Sequence, residues 1–188
     1  MKKHHLDCAY LVSKFRYHEE IKEELLLLID KAEYNSPKVA SAEVNITKAD
    51  WYNATSTTRE WFKYLVGPLT EQLKEMYMEL GYDGFTIHEM WFQQYLQNSE
   101  HGWHSHSSNF TNVYFLELPE GTPKTQIVSP YDQKTVIEVD VQEGDLLIFP
   151  SFTLHKAPVN KSSKRKTIIS YNIDATYSDK IYGKGIEI

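Results

Sequence analysis

Three of the chain's eight histidines fall within the six residues His101-Gly-Trp-His-Ser-His106. A neutral imidazole offers a lone pair to a divalent metal ion. On a β-strand, residues two apart point to the same face, so His104 and His106 would present two imidazoles side by side. A polar loop can carry the same pair, and the spacing alone leaves both readings open. A second anchor runs from Glu143 to His155. Its Glu-Gly-Asp turn leads into Leu146-Leu147-Ile148-Phe149, an apolar run that implies burial on both faces. Pro150 and Ser151 break the run and His155 follows. A lone histidine there is either structural or a ligand, depending on what it meets. A jelly roll returns late strands beside earlier ones, which would bring His155 to His104 and His106.

A third anchor is Lys164 to Asn172. In a regular strand Lys166, Ile168, Ser170 and Asn172 share one face, and Arg165, Thr167, Ile169 and Tyr171 share the other. A cation and a hydroxyl on one face suit a carboxylate. A one-residue bulge would put Arg165 in the place of Lys166. Lys161 and Lys164 read as a solvated basic loop.

The elements that must position these residues change character along the chain. Residues 9–15 suit a first strand. Residues 18–33 suit a helix, with Ile21, Leu25, Leu28 and Ile29 at helical spacing and acidic residues in the first turn. Residues 38–58 read mostly as loop. A second helix is expected from a cap at Thr57 or Thr58 to about Leu80, stopped by Gly81 and kinked or interrupted at Gly67-Pro68. Its stripe of Trp61, Tyr64, Leu65, Leu69, Leu73, Met76, Tyr77 and Leu80 reads as core. Then come short strands at 85–96, 110–118, 124–128, 135–141, 145–149, 152–155 and 166–173, separated by Gly, Pro, Asn and Asp turns. This spacing predicts a mainly β (α+β) jelly roll with N-terminal helices on one face. Residues 178–188 read as a tail or an edge strand.

The 188 residues suit a single domain, with 41% hydrophobic and 13% aromatic content. A formal charge of −6 argues against general nucleic-acid binding. The one cysteine, Cys8, permits no intrachain disulfide. The start carries no apolar signal core, and no run is long enough to span a membrane. These features lead us to expect a cytoplasmic protein and to treat the Asn-x-Ser/Thr triplets as chance matches. A homodimer through edge strands stays open.

In order and content the anchors resemble the Fe(II)/2-oxoglutarate-dependent oxygenases, and within them a group of small members from phage and marine microbial sequences. The matching segments are Trp91-Phe92-Gln93-Gln94-Tyr95, Trp103-His104-Ser105-His106, Asn112-Val113-Tyr114-Phe115, Gly144 to Pro150, His155, and Lys166 to Asn172. The resemblance implies a double-stranded β-helix, cupin-like, over 85–175, supported by a helical region over 1–84 and followed by a tail over 176–188. It implies Fe(II) held by His104, His106 and His155. Lys166, or Arg165 if the strand bulges, would bind the far carboxylate of 2-oxoglutarate with Ser170 and Tyr114. The expected activity is hydroxylation of a small molecule or peptide.

The usual site of this chemistry is two histidines and one carboxylate, and His106 stands where the carboxylate is expected. Glu89, Glu100 or His101 therefore stays open as a ligand. Two further functions stay open: a three-histidine cupin-like dioxygenase or isomerase without 2-oxoglutarate, and a non-enzymatic β-sandwich. Trp51, Tyr52, Trp103 and Phe110 suggest an aromatic entrance, with core packing the alternative.

Overall fold

A computed structural model of the chain describes residues 8–177. The expectations for the start at residues 1–7 and for the tail or edge strand at 178–188 lie outside the described residues. The elements in order are β1 (Leu11–Lys14), α1 (His18–Lys31), β2 (Lys38–Val39), β3 (Val44–Asn45), β4 (Lys48–Ala49), α2 (Glu60–Glu79), β5 (Gly84–Tyr95), β6 (Glu100–His104), β7 (Phe110–Glu117), β8 (Gln126–Val128), β9 (Val136–Glu138), β10 (Asp145–Pro150), β11 (His155–Ala157) and β12 (Lys166–Thr176). Among the described residues no helix is long and apolar enough to cross a membrane.

The strands form two six-stranded sheets. The major sheet runs β1-β10-β7-β12-β5-β4 and the minor sheet β2-β3-β6-β11-β8-β9. From β5 onward the chain passes back and forth between them, which is the jelly-roll winding expected from the short strands. Strand β12 is the spine, paired antiparallel along its length with β5 and β7.

Both faces of the major sheet are buried, and strict alternation sorts its residues. Met90, Phe92, Tyr114, Leu116, Leu146, Ile148, Ile169 and Tyr171 pack against α1 and α2. Tyr95, Val113, Phe115, Leu147, Phe149 and Ile168 pack between the sheets. This is why Leu146 to Phe149 of β10 are all apolar. The helices contribute Ile21, Leu25 and Ile29 from α1 and Trp61, Leu65, Leu69 and Leu73 from α2.

Three expectations are corrected. Of the kink or interruption expected at Gly67-Pro68, the interruption is absent: helix α2 is continuous through Pro68. Gly67 is exposed and Pro68 sits half-buried at the edge of the unbroken buried stripe; the carbonyl that loses a partner is that of the exposed Tyr64, and core burial holds the helix together. Its N-cap is Arg59, without a side-chain cap, since a guanidinium has no acceptor for a helix N–H; the Thr58 hydroxyl lies 3.0 Å from that of Ser56. The expected strand at 152–155 is a turn followed by β11. The Thr153 N–H donates to the Pro150 carbonyl at 2.9 Å, and this turn carries the chain from one sheet to the other. At the far end of α2 the expected stop is present: Gly81 takes φ 88°, and the Tyr82 N–H reaches back to the Tyr77 carbonyl at 2.9 Å. Residues 38–58 are less loop-like than expected, holding β2, β3, β4 and two 3-10 turns.

Candidate metal and cosubstrate site

Strands β6 and β11 pair in the minor sheet, with His155 opposite His104 and Ala157 opposite His101. The interval holds one more residue on β6 than on β11, which is a β-bulge at Gly102-Trp103. The bulge needs glycine at 102. A Cβ there would lie 2.4 Å from the Ala42 carbonyl oxygen. Strand β6 ends at His104, so His106 is not its strand neighbour. It stands in the following turn, where its N–H donates to the Ser151 carbonyl at 3.0 Å. The chain thus brings the two rings together by a turn, where the sequence suggested simple strand alternation.

His104, His106 and His155 form a cluster in which one ring nitrogen from each lies within 4.8 Å of the others. The ring centroids are 5.2 Å apart for His104–His106, 4.2 Å for His104–His155 and 5.2 Å for His106–His155. The bonds behind the rings fix two tautomers. His104 Nδ1 lies 2.7 Å from the Gly102 carbonyl and His155 Nδ1 lies 2.9 Å from the Thr153 carbonyl. Each Nδ1 must carry the proton, leaving the Nε2 lone pair for a metal. The His106 ring is stacked at 5.9 Å on Trp91 and lies nearly parallel to that of His155. Burial keeps all three neutral. It lowers His104, pushes His106 down to about 4 with help from His104, and pushes His155 down to about 2 with help from the neighbouring histidines. Neutral imidazoles are the form a metal takes up.

Among the described residues, neither Glu89 nor Glu100 joins this cluster. Glu89 accepts a hydrogen bond from Asn172 Nδ2 at 2.8 Å. His101 does not join it either, but its ring is stacked on that of His104 at 3.7 Å.

A narrow chamber of about 20 Å³ extends from the histidines between the sheets, walled by Trp91, Gln93, Tyr95, Thr125, Val113, Ile168 and Ser170. Lys166 lies beyond this lining, on the same face of β12 as Ile168 and Ser170 and next to the Tyr95 ring. It is 1% exposed, its Nζ lies 5.5 Å from the Tyr95 ring and 6.0 Å from that of Phe115, and it donates to the Pro123 carbonyl at 2.8 Å. Burial pushes its pKa down to about 7. Among the described residues no carboxylate forms an ion pair with it. Ser170 Oγ donates to Gln93 Oε1 at 3.1 Å on the same wall. Tyr95 Oη and Trp91 Nε1 are buried without hydrogen-bond partners.

Two residues expected at the cosubstrate end lie elsewhere. Arg165 points away from the chamber, binding Glu117 through Nε at 2.8 Å and Nη2 at 3.1 Å, and Asp30 through Nη1 at 2.9 Å. Tyr114 faces the helices, with its hydroxyl 2.7 Å from His18 Nδ1 and its ring 5.0 Å from that of Phe15. The even-numbered face of β7 is the helix-facing one, which removes Tyr114 from the chamber. Of the expected entrance aromatics, Trp51 packs on His101 at 5.3 Å, Trp103 lies under the Lys156 Nζ at 4.7 Å, and Tyr52 is exposed. Phe110 lines an open groove of about 720 Å³, with Tyr82, Phe152, Tyr177 and His106. His106 borders both this groove and the chamber.

Gln93, Tyr95 and Trp91 were not singled out individually from the sequence. Alternation along β5 puts them on one face, and that signal was available. Pro123 and Thr125 left no such signal.

The fold is one shared with solved iron- and 2-oxoglutarate-dependent oxygenases, and the three-histidine cluster is of a kind that could hold a metal ion. Residues 86–168 match the family model described as phytanoyl-CoA dioxygenase. No curated protein matches the sequence. The chain is similar in structure to a 2OG-Fe(II) oxygenase family oxidoreductase from Burkholderia pseudomallei, with TM-score 0.68 at 12% identity, covering 88% of this chain and 85% of that one. It is similar to the viral collagen prolyl hydroxylase of Paramecium Bursaria Chlorella virus-1 in its 2OG complex, with TM-score 0.62 at 16% identity over 89% and 96%. It is also similar to HygX from Streptomyces hygroscopicus with nickel and 2-oxoglutarate bound, with TM-score 0.67 at 10% identity over 90% and 84%.

Proposed function

We propose that the protein is a hydroxylase in which His104, His106 and His155 hold Fe(II) and Lys166 binds the far carboxylate of 2-oxoglutarate. The observation that carries this reading is the buried Lys166, without an ion pair, packed behind Tyr95 on the strand face whose Ile168 and Ser170 line the histidine chamber. An ammonium group in such a place is costly without an anion, and a dicarboxylate bound through its other end to the metal would supply one. The donor set fits as well. Three neutral imidazoles leave the ion's charge uncompensated, and a dianion offsets it. Tyr95 Oη and Trp91 Nε1 supply unused donors on the chamber wall.

With oxygen, iron and 2-oxoglutarate supply the oxidation of a substrate C–H bond, coupled to decarboxylation of the cosubstrate to succinate. The protein's own residues do the positioning. His104 and His155 present Nε2 because backbone carbonyls hold their Nδ1 protons. Lys166 and Tyr95 orient the cosubstrate's far end, and Ile168, Val113 and Phe115 keep water from it. The narrow chamber requires its lining side chains to swing aside as the cosubstrate binds. It also leaves no space for a substrate, which would approach past His106 from the groove of Tyr82, Phe110 and Phe152.

Anaerobic Fe(II) titration with and without 2-oxoglutarate tests the reading. A visible metal-to-ligand charge-transfer band, followed by succinate when oxygen is admitted, is the expected result. The all-nitrogen donor set also suits a three-histidine dioxygenase that does without 2-oxoglutarate. Iron binding with neither the band nor succinate would favour that reading over ours.

A further inference from the structure

We propose that His101 is a positioning residue for the metal centre: it clamps the His104 ring by stacking and ties it, through Gln93 and Ser170, to the strand that carries Lys166. The inference rests on His104 being a metal ligand, as argued above.

The bulge at Gly102-Trp103 turns His101 and His104 to the same side of β6 although they are three residues apart. Their rings lie 3.7 Å apart and 17° from parallel. Trp51 also packs on His101, with ring centroids 5.3 Å apart and the planes tilted by 51°. Two neutral aromatic rings prefer offset or edge-to-face arrangements with centroids roughly 4.5–7 Å apart, so a near-parallel stack this close gains little from two ordinary imidazoles. It gains more when one ring is drained of electron density by a cation, because the facing π-cloud is then attracted to it. A metal on His104 Nε2 creates that condition. His101 itself is not in the three-histidine cluster, so its contribution passes through His104.

The link to the cosubstrate wall is a chain of side chains. Gln93 Nε2 reaches His101 Nδ1 at 3.5 Å, a long hydrogen bond, and Gln93 Oε1 accepts from Ser170 Oγ at 3.1 Å. Ser170 stands four residues beyond Lys166 on the same face of β12. A shift of Ser170 or Gln93 on cosubstrate binding is thereby felt at the ring that holds the metal.

The test uses the full chain and Co(II), whose visible spectrum reports ligand geometry without turnover. His101→Ala should weaken Co(II) binding about 10- to 100-fold in chelator competition, the range seen when groups supporting a ligand are removed, and should shift the Co(II) d–d bands. His101→Phe keeps a stacked ring and should restore affinity to within a few-fold of the parent. Lacking Nδ1, it should still bind 2-oxoglutarate more weakly than the parent by the Fe(II) charge-transfer band. Circular dichroism of the metal-free variants separates misfolding from these effects. If His101→Ala misfolds, His101→Phe against Gln93→Ala carries the test: the first should spare the metal and both should weaken 2-oxoglutarate. Unchanged Co(II) affinity and spectrum in His101→Ala would overturn the role of His101 alone, as would a His101→Phe as weak as His101→Ala. A parent protein that binds no Co(II) and no Fe(II) would overturn the metal-centre reading itself.

Discussion

Lys166 is the residue whose protonation would link stability to the proposed binding of cosubstrate. Its folded pKa is about 7 against an ordinary value of 10.5. Between those pH values the unfolded chain holds a proton that the folded chain has released. Stability of the metal-free protein therefore rises with pH across that window and is flat below it. Lys166→Met removes the slope and raises the melting temperature at pH 7, as thermal melts at several pH values would show. Cosubstrate binding has the opposite sign. The dianion selects the ammonium form, so affinity is constant below about pH 7 and weakens towards tenfold per pH unit above it. Lys166→Met should lose the charge-transfer band while keeping Fe(II), and retention of both would remove Lys166 from the cosubstrate site. Tyr114 gives the contrasting prediction. Tyr114→Phe takes from His18 a buried hydrogen-bond partner and should cost about 1–3 kcal/mol of stability while leaving 2-oxoglutarate binding unchanged. The grouping of the histidines was legible because histidine is uncommon in this chain, and the face of Lys166 because β12 alternates, whereas the turn that brings in His106 was not. The placement of Tyr114 was not, because β7 is apolar on both faces and alternation alone does not say which face meets the helices.

At the level of elements, the jelly roll was readable from two periods, 3.6 in α1 and α2 and 2 in the long strands. What the pattern hid were the irregularities that place the site. The β6 bulge depends on the close approach of Ala42 to Gly102, a contact between segments far apart in sequence. The turn at 151–153 replaces an expected strand because Ser151 is drawn inward, its Oγ 2.9 Å from Thr111 Oγ1. Pro68 misled in the other direction, since a local breaker was overruled by the buried stripe along α2. These two sites predict separable effects. Gly102→Ala forces a Cβ to within 2.4 Å of the Ala42 oxygen and 2.9 Å of Glu43 Cβ. The bulge must then shift, and Co(II) affinity should fall more than tenfold, comparable to losing support for a ligand. Pro68→Ala returns a helical N–H and should raise stability by about 1–2 kcal/mol once the looser unfolded chain is allowed for, with Co(II) affinity unchanged.

Across the whole molecule the two sheets are unequally supported. The major sheet is buried on both faces by α1, α2 and the inter-sheet core, and its strands β5, β7 and β12 span 12, 8 and 11 residues. The minor sheet is built from strands of two to five residues. The proposed ligands all belong to this weaker half: His104 ends β6, His155 begins β11, and His106 hangs on the Ser151 turn. A bound ion would therefore cross-link the part of the fold that opens most easily. Metal at a thousand times its Kd stabilises the folded state by about 4 kcal/mol. Hydrogen exchange should show where that stabilisation goes. On adding Co(II), amides of β6, β8 and β11 should gain protection through suppressed local opening. Those of β5, β7, β10 and β12, already limited by opening of the whole domain, should change only as global stability changes. A uniform gain at every exchanging amide would mean that the minor sheet opens only with the rest of the domain. The metal centre would then be a function grafted onto a rigid barrel end, and would not also serve as the clasp that closes it.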